Sequence, residues 1–179
     1  DPQTPNGIDF RKMRQAGAEF VIIRSGQNLW ADRDFKVNWR EAKAAGLPRG
    51  SYWFYDSRIN PKQQAELWVS LFNGDFGELP LWADFEDNYN GGFKGWKHWY
   101  DFIERVKQLT PSSVEMGVYT NYYYWLENTV ALNIPTASLN YFQQYPLWVA
   151  AYNPTGPTVP KPWTSWTLWQ FTDNGNGIP

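Results

Sequence analysis

The sequence predicts an α/β fold, an irregular TIM-like barrel short of helices near its C-terminal end. Three observations point there. Helix-like and strand-like segments alternate through the first two thirds of the chain, which implies parallel strands joined by right-handed crossovers. The strand segments are apolar on both faces, as in barrels whose strands are covered on one side by helices. Polar or aromatic residues close the strands (Arg24, Tyr55, Asp84 and Glu86, Tyr119, Tyr152, Gln170), and the C-terminal rim is where parallel barrels carry their sites. A regular eight-fold barrel takes about 250 residues. The 179 residues here fall short of that, hence the irregularity, and fit one domain over residues 1–179 with a sizeable core.

The elements follow in order. Phe10 to Ala16 carries Phe10 and Met13 at helical spacing and stops at Gly17. Glu19 to Arg24 reads as a strand, ending in a turn at Ser25-Gly26-Gln27. Phe35 to Ala45 repeats the helical pattern with Phe35, Trp39 and Ala42, then stops at Gly46. Gly50 to Tyr55 is the next strand. Asn60-Pro61 opens a helix, with Asn as cap and Pro at the first helical position; its apolar stripe is Ala65, Trp68 and Phe72. Leu79 to Glu86 is a strand. A loop through Gly91-Gly92 leads to a helix over Trp96 to Leu109, with Trp99, Ile103 and Val106 inward. Val114 to Thr120 is a strand and Tyr122 to Asn128 a short helix. Leu147 to Tyr152 and Trp166 to Phe171 are strands, separated by a Pro-rich loop, Asn153 to Trp163, with no room for a helix.

Composition narrows the chemistry. Lys and Arg are scattered and the formal net charge is −2, so no basic footprint for nucleic acid is present. No apolar run is long enough to span a bilayer, and no signal peptide is visible. The absence of Cys removes disulfides, thiol nucleophiles and Cys-based zinc sites. A single His, His98, leaves no multi-His metal site or His-based triad; neither a metal nor an organic cofactor is expected, and His98 reads as structural. The 12 Trp, 11 Tyr and 11 Phe exceed what a core of this size needs. Some therefore belong to a groove, and Trp and Tyr stack on the apolar faces of sugar rings while their polar tips bond to ligand. Without a basic groove, sugar is a better occupant than a nucleic acid.

The most informative run is Leu79-Pro80-Leu81-Trp82-Ala83-Asp84-Phe85-Glu86. Residues i and i+2 of a strand share a side, so Asp84 and Glu86 lie together at the strand's end. Two like charges so close push one pKa upward, which is how one carboxylic acid stays protonated near neutral pH beside an ionised neighbour. The alternative is a pair of strand-end acids that cap a helix or pair with Arg.

With these residues in hand, the chain resembles the glycoside hydrolase family 25 lysozymes, the Chalaropsis-type N-acetylmuramidases, from about Gly7 to Gly177. The motifs run in the family's order. They are Gly7-Ile8-Asp9-Phe10 with Gly17 and Phe20 to Arg24; Asp32 to Phe35 with Asn38, Ala42 and Ala45-Gly46-Leu47; and Gly50 to Phe54, with Trp53 where His is usual. Gln64-Ala65, Leu81 to Glu86, Gly117 to Thr120, Leu147 to Tyr152 and Leu168 to Thr172 complete the series. The resemblance implies a (β/α)5(β)3 barrel that cuts the β-1,4 bond between N-acetylmuramic acid and N-acetylglucosamine in peptidoglycan. It implies Glu86 as proton donor and Asp84 as the orienting or stabilising carboxylate. Asp1 stands about where a third family acid belongs, one residue closer to Gly7-Ile8 than is common and without the family's following Ser. A further family Asp lies in a hairpin beyond the point where this sequence stops; Asp173 is near the rim and could partly substitute, but an Asp in Asp173-Asn174-Gly175 is more often a turn residue. The chain is thus expected to lack part of the first strand and the C-terminal hairpin of the full domain.

Around that pair, Tyr119, Trp148, Tyr152, Trp169, Gln170, Tyr55 and Arg24 are candidates to bind saccharide, with the Tyr122-Tyr123-Tyr124-Trp125 run as a groove wall. The expected partner is the glycan strand of bacterial peptidoglycan, met by a monomer that is secreted or phage-encoded and acts on the cell wall, with no nucleic acid and no membrane. Two other functions fit the same residues: a non-catalytic barrel that binds cell-wall glycan, and a glycosidase on another N-acetylated polymer such as chitin.

Overall fold

The computed structural model describes residues 7–174; Asp1 therefore lies outside the described residues. Within the described residues seven strands form one sheet: β1 (Val21–Gln27), β2 (Trp30–Ala31), β3 (Arg49–Phe54), β4 (Leu81–Asp84), β5 (Met116–Asn121), β6 (Leu147–Ala150) and β7 (Leu168–Gln170). Their spatial order is β2-β1-β3-β4-β5-β6-β7. All pairs are parallel except the β1–β2 hairpin. Among the described residues no ladder joins the two ends of this sheet, so the structure shows a mixed α/β sheet of barrel topology and not a hydrogen-bonded closed barrel. Among the described residues six α-helices accompany it: α1 (Phe10–Gln15), α2 (Phe35–Ala44), α3 (Pro61–Ser70), α4 (Trp96–Leu109), α5 (Tyr122–Asn128) and α6 (Thr136–Tyr141).

Local chemistry accounts for most boundaries. Asp9 caps α1, its Oδ1 accepting from the N–H groups of Arg11 and Lys12 at 3.0 Å. Asn60 caps α3 in front of Pro61, as the sequence predicts, because proline's missing N–H costs nothing in the first helical turn. Asn121 caps α5 through the Tyr124 N–H. One predicted detail is corrected. The Ser25-Gly26-Gln27 turn is strand: β1 runs to Gln27 through a register shift between Arg24 and Gly26. Ser25 is thus the extra residue of a bulge, and its hydroxyl reaches Ser51 and the Trp68 indole on the helical side. A side chain at Gly26 would meet Trp30 O at 2.4 Å, so the bulge needs glycine there. Helix α6 and the short strand β2 were not anticipated, since neither six nor two residues carry a legible period.

The strand registers sort side chains onto two faces. Ile23, Trp53, Leu81, Ala83, Met116, Val118, Leu147 and Val149 form one face and join the apolar core under the helices. Phe35 and Trp39 of α2, Ala65 and Trp68 of α3, Trp99, Phe102, Ile103 and Val106 of α4 and Trp125 of α5 complete that core. Stacked rings tie it together: Trp68 on Phe102 at 5.7 Å, Phe85 on Trp99 at 4.8 Å, and Trp99 on Trp125 at 5.3 Å. At the N-terminal end of β3 the fully buried Arg49 pairs with Asp75 and Glu78, each at 2.8 Å, and lies over the Trp39 ring. The opposite, inner face carries Arg24, Tyr52, Trp82, Asp84, Gly117, Tyr119, Trp148 and Gln170. None of these belongs to the helical core.

Candidate active site

The inner face opens at its C-terminal rim into a cavity of about 330 Å3, lined by Tyr52, Asp84, Glu86, Tyr119, Trp148, Tyr152 and Gln170. Three adjacent strands bring its floor together: Tyr119 of β5 pairs in register with Asp84 of β4 on one side and Trp148 of β6 on the other. Trp148 is the hub of an aromatic box, edge-on to Tyr119 at 4.8 Å, Trp82 at 5.6 Å and Tyr52 at 6.5 Å. Gly117 makes room for it. A Cβ there would lie 2.5 Å from the Trp82 ring, so only glycine lets that indole lie flat across β5.

The carboxylate pair is held from behind. Between Asp84 and Glu86, Phe85 points the other way, onto Trp99, Tyr55 and Phe102. Its N–H donates to Tyr119 O at 2.9 Å, and its carbonyl accepts from the Thr120 hydroxyl at 2.8 Å. Next along the chain, the buried Asp87 accepts from the Ser57 N–H at 2.7 Å and the Tyr124 hydroxyl at 3.1 Å. Glu86 thus sits between two anchored residues, although the β4 ladder itself ends at Asp84.

Burial raises Asp84 well above the ordinary carboxylate range, and the Glu86 charge adds to it, with Arg24 pulling the other way. Burial also raises Glu86, while a hydrogen bond with Tyr119 counteracts. Two acids that both resist ionisation hold a proton between them above the pH at which a free carboxyl would lose it. Burial and then Asp84 push Tyr52 up to about 12. Tyr119 is raised as well, by burial and then Glu86, so both phenols stay hydrogen-bond donors. The Tyr119 hydroxyl donates to Gln170 Oε1 at 2.8 Å.

Three buried polar atoms on this face have no hydrogen-bond partner: Asp84 Oδ1, Trp82 Nε1 and Arg24 Nε. Buried polar atoms are almost always satisfied, and Asp84 Oδ1, the one of the three whose residue lines the cavity, marks a place where a polar ligand fits. Another cavity, of about 500 Å3, opens between the loops around Gly74–Pro80 and Pro111–Glu115. Its Asp75 and Glu78 are committed to Arg49, so it has no comparable free pair. Among the described residues no cluster of His, Asp or Glu could hold a metal ion, and no helix is long and apolar enough to cross a membrane.

Of the residues singled out from sequence, Asp84, Glu86, Tyr119, Trp148, Tyr152 and Gln170 come together here. Two do not. Tyr55 is buried on the helical side, its hydroxyl donating to Phe93 O at 2.7 Å; it follows Phe54, the register partner of Asp84, and so points the opposite way. Trp169 pairs with Val149 of the outer face, and its indole donates to Ala151 O at 2.8 Å. Arg24 stands beside the cavity, not in its wall: it bonds Gln27 Oε1 at 2.7 Å, lies under Trp30, and its charge reaches Asp84. Burial raises Tyr152, and Asp173 is close enough to add to it. Tyr52 and Trp82 were missed, although Trp82 stands two residues before Asp84 and the strand period puts it on the same side.

Comparison with known proteins gives the family. The family model for glycosyl hydrolases family 25 matches residues 3–178, and the chain belongs to that family. It is 31% identical over 185 residues to lysozyme M1 of Streptomyces globisporus, covering 94% of this chain and 58% of that protein; the chain thus spans little more than half the length of that relative. Among solved structures it resembles a muramidase from Trichobolus zukalii, with TM-score 0.76, 27% identity, and 94% and 83% of the two chains covered. It also resembles a family GH25 lysozyme from Aspergillus fumigatus, with TM-score 0.75, 27% identity, and 93% and 82% covered.

Proposed function

We propose that this chain hydrolyses the β-1,4 bond between N-acetylmuramic acid and N-acetylglucosamine in bacterial peptidoglycan. The observation that carries the reading is the buried, unpartnered Asp84 Oδ1 beside Glu86 at the mouth of an aromatic-walled cavity. Binding alone does not require so costly an arrangement. The relatives named above as lysozyme and muramidase support the substrate class.

The roles follow from depth. Asp84 is the innermost acid, and it is the one raised well above its usual range. An acetamido N–H offered by a bound sugar gives Oδ1 its missing partner, and a hydrogen bond to the charged form favours ionisation. The pair's proton is then left on Glu86, which is closer to solvent and positioned to deliver it to the glycosidic oxygen. The ionised Asp84 orients the acetamido group and faces the positive charge that develops on the reacting ring. Trp148, Tyr52 and Tyr119 box that ring, and no cofactor takes part. Asp1 is proposed as a further acid of the centre; an Asp1→Asn variant tests that assignment.

Clearing of bacterial cell-wall suspensions by wild type and Glu86→Gln decides between hydrolysis and mere binding. Loss of the acid is expected to lower the rate by about 10²–10⁴-fold. Wild type that binds walls without clearing them means a glycan-binding barrel instead. Muramic acid at the new reducing ends separates this bond from that of a chitin-type polymer.

A further inference from the structure

Two cavities meet at Glu86. The inner one contains Asp84. Its neighbour, of about 580 Å3, does not; it lies between the start of α5 and the segment after β6. Glu86 and Tyr152 line both. A glycosidic bond protonated by Glu86 has one sugar on each side. The ring that develops positive charge must face Asp84, which puts it in the inner cavity. The ring that departs with the proton must then lie on the far side of Glu86.

We propose that this outer cavity is the leaving-group subsite and seats the N-acetylglucosamine ring of the departing chain on Tyr123. The proposal rests on the muramidase reading and adds which surface holds the departing sugar and through which side chains. Tyr123 is 73% exposed, and its ring is braced edge-on by Tyr122 at 5.4 Å. A braced, open phenol ring is a stacking platform for a sugar face. Two amides flank it. Asn121 spends its Oδ1 on the Tyr124 N–H at 2.9 Å, and Asn153 spends its Oδ1 on the Thr155 N–H and hydroxyl at 3.1 and 3.2 Å. Each therefore presents its Nδ2 hydrogens as donors, the partners that sugar hydroxyls and an acetamido carbonyl need. On the muramidase reading the ring that departs is the N-acetylglucosamine, whose hydroxyls and acetamido carbonyl these donors suit.

The test compares kcat/KM on peptidoglycan glycan strands with kcat/KM on a glycosyl fluoride of the same reacting sugar, whose one-atom leaving group cannot reach the outer cavity. Tyr123→Ala is expected to lower the glycan-to-fluoride ratio about tenfold, while Tyr123→Phe keeps the wild-type ratio because its ring still stacks. An unchanged ratio in Tyr123→Ala, with wild type active, overturns the subsite alone. A Tyr123→Phe ratio as low as that of Ala overturns stacking as its basis. Wild type inactive on both substrates overturns the muramidase reading and the subsite with it. The position's exposure keeps folding out of the comparison.

Discussion

Asp84 is held in an environment that opposes its charge, and this has a cost in stability. Its folded pKa is raised, so the folded state binds a proton that the unfolded chain releases. Above the unfolded value of about 3.9, stability therefore falls as pH rises through the folded pKa. Asparagine keeps the shape and carries no ionisation penalty. Asp84→Asn is accordingly expected to raise Tm at pH 7 by a few degrees, since each kcal/mol moves Tm by about 2–4 °C in a chain of this size, and to abolish wall clearing. Calorimetry and the turbidity assay on one preparation check both signs. Gly117 offers a steric counterpart. Gly117→Ala drives a methyl into the Trp82 ring, and the indole must shift against Trp148. Overpacking of this kind costs about 1–3 kcal/mol, and the reshaped box is expected to raise KM on glycan more than it lowers kcat.

At the scale of elements, β4 shows how a helix on one face positions chemistry on the other. Asp84 and Glu86 turn inward only because Phe85 turns outward and stacks on Trp99 of α4. Phe85→Ala empties a fully buried site, with an expected loss of about 3–5 kcal/mol by urea denaturation. It also frees the backbone that carries Glu86. Activity is therefore expected to fall even at temperatures where the variant remains folded, which circular dichroism and the clearing assay at the same temperature would show. The bulge in β1 acts similarly: by absorbing Ser25 it puts Gln27 opposite Phe54 on the inner face, where it bonds Arg24, whose charge reaches Asp84.

Across the whole molecule the carboxylates shifted from their ordinary values fall into two groups with opposite pH behaviour. Arg49 holds Asp75 and Glu78 below their ordinary values. Burial works against Asp56, but Arg58, Asn28 and Gln27 outweigh it and hold it at about 2. These groups add stability above about pH 4, which is lost as pH falls toward 2. Asp84 and Glu86 are raised, so their contribution improves as pH falls from neutrality. The sum is expected to peak on the acid side of pH 7. Activity is expected to decline on the alkaline side through a pKa above the ordinary Glu value, as Glu86 loses its proton. A Tm profile and a kcat/KM profile over the same pH range test this, and Asp84→Asn should flatten the alkaline limb of the stability curve alone.

The alternation of strands and helices, the cap at Asn60, the helical stripe of α4 and the inward pairing of Asp84 with Glu86 were legible in the sequence, because each depends on a period or a cap within one segment. The cavity wall was only partly legible. A period of two says which residues of a strand share a face, but not which face becomes concave or how neighbouring strands align. Tyr55 and Trp169 therefore look as suitable as Tyr52 and Trp148 until registers between distant strands turn the first two to the opposite face of the sheet. The Ser25 bulge makes the same point, since one extra residue reverses the facing of everything beyond it. The sequence by itself determined the class of fold and the acid pair; tertiary structure decided which aromatics surround that pair, because register is set by packing between segments far apart in the chain.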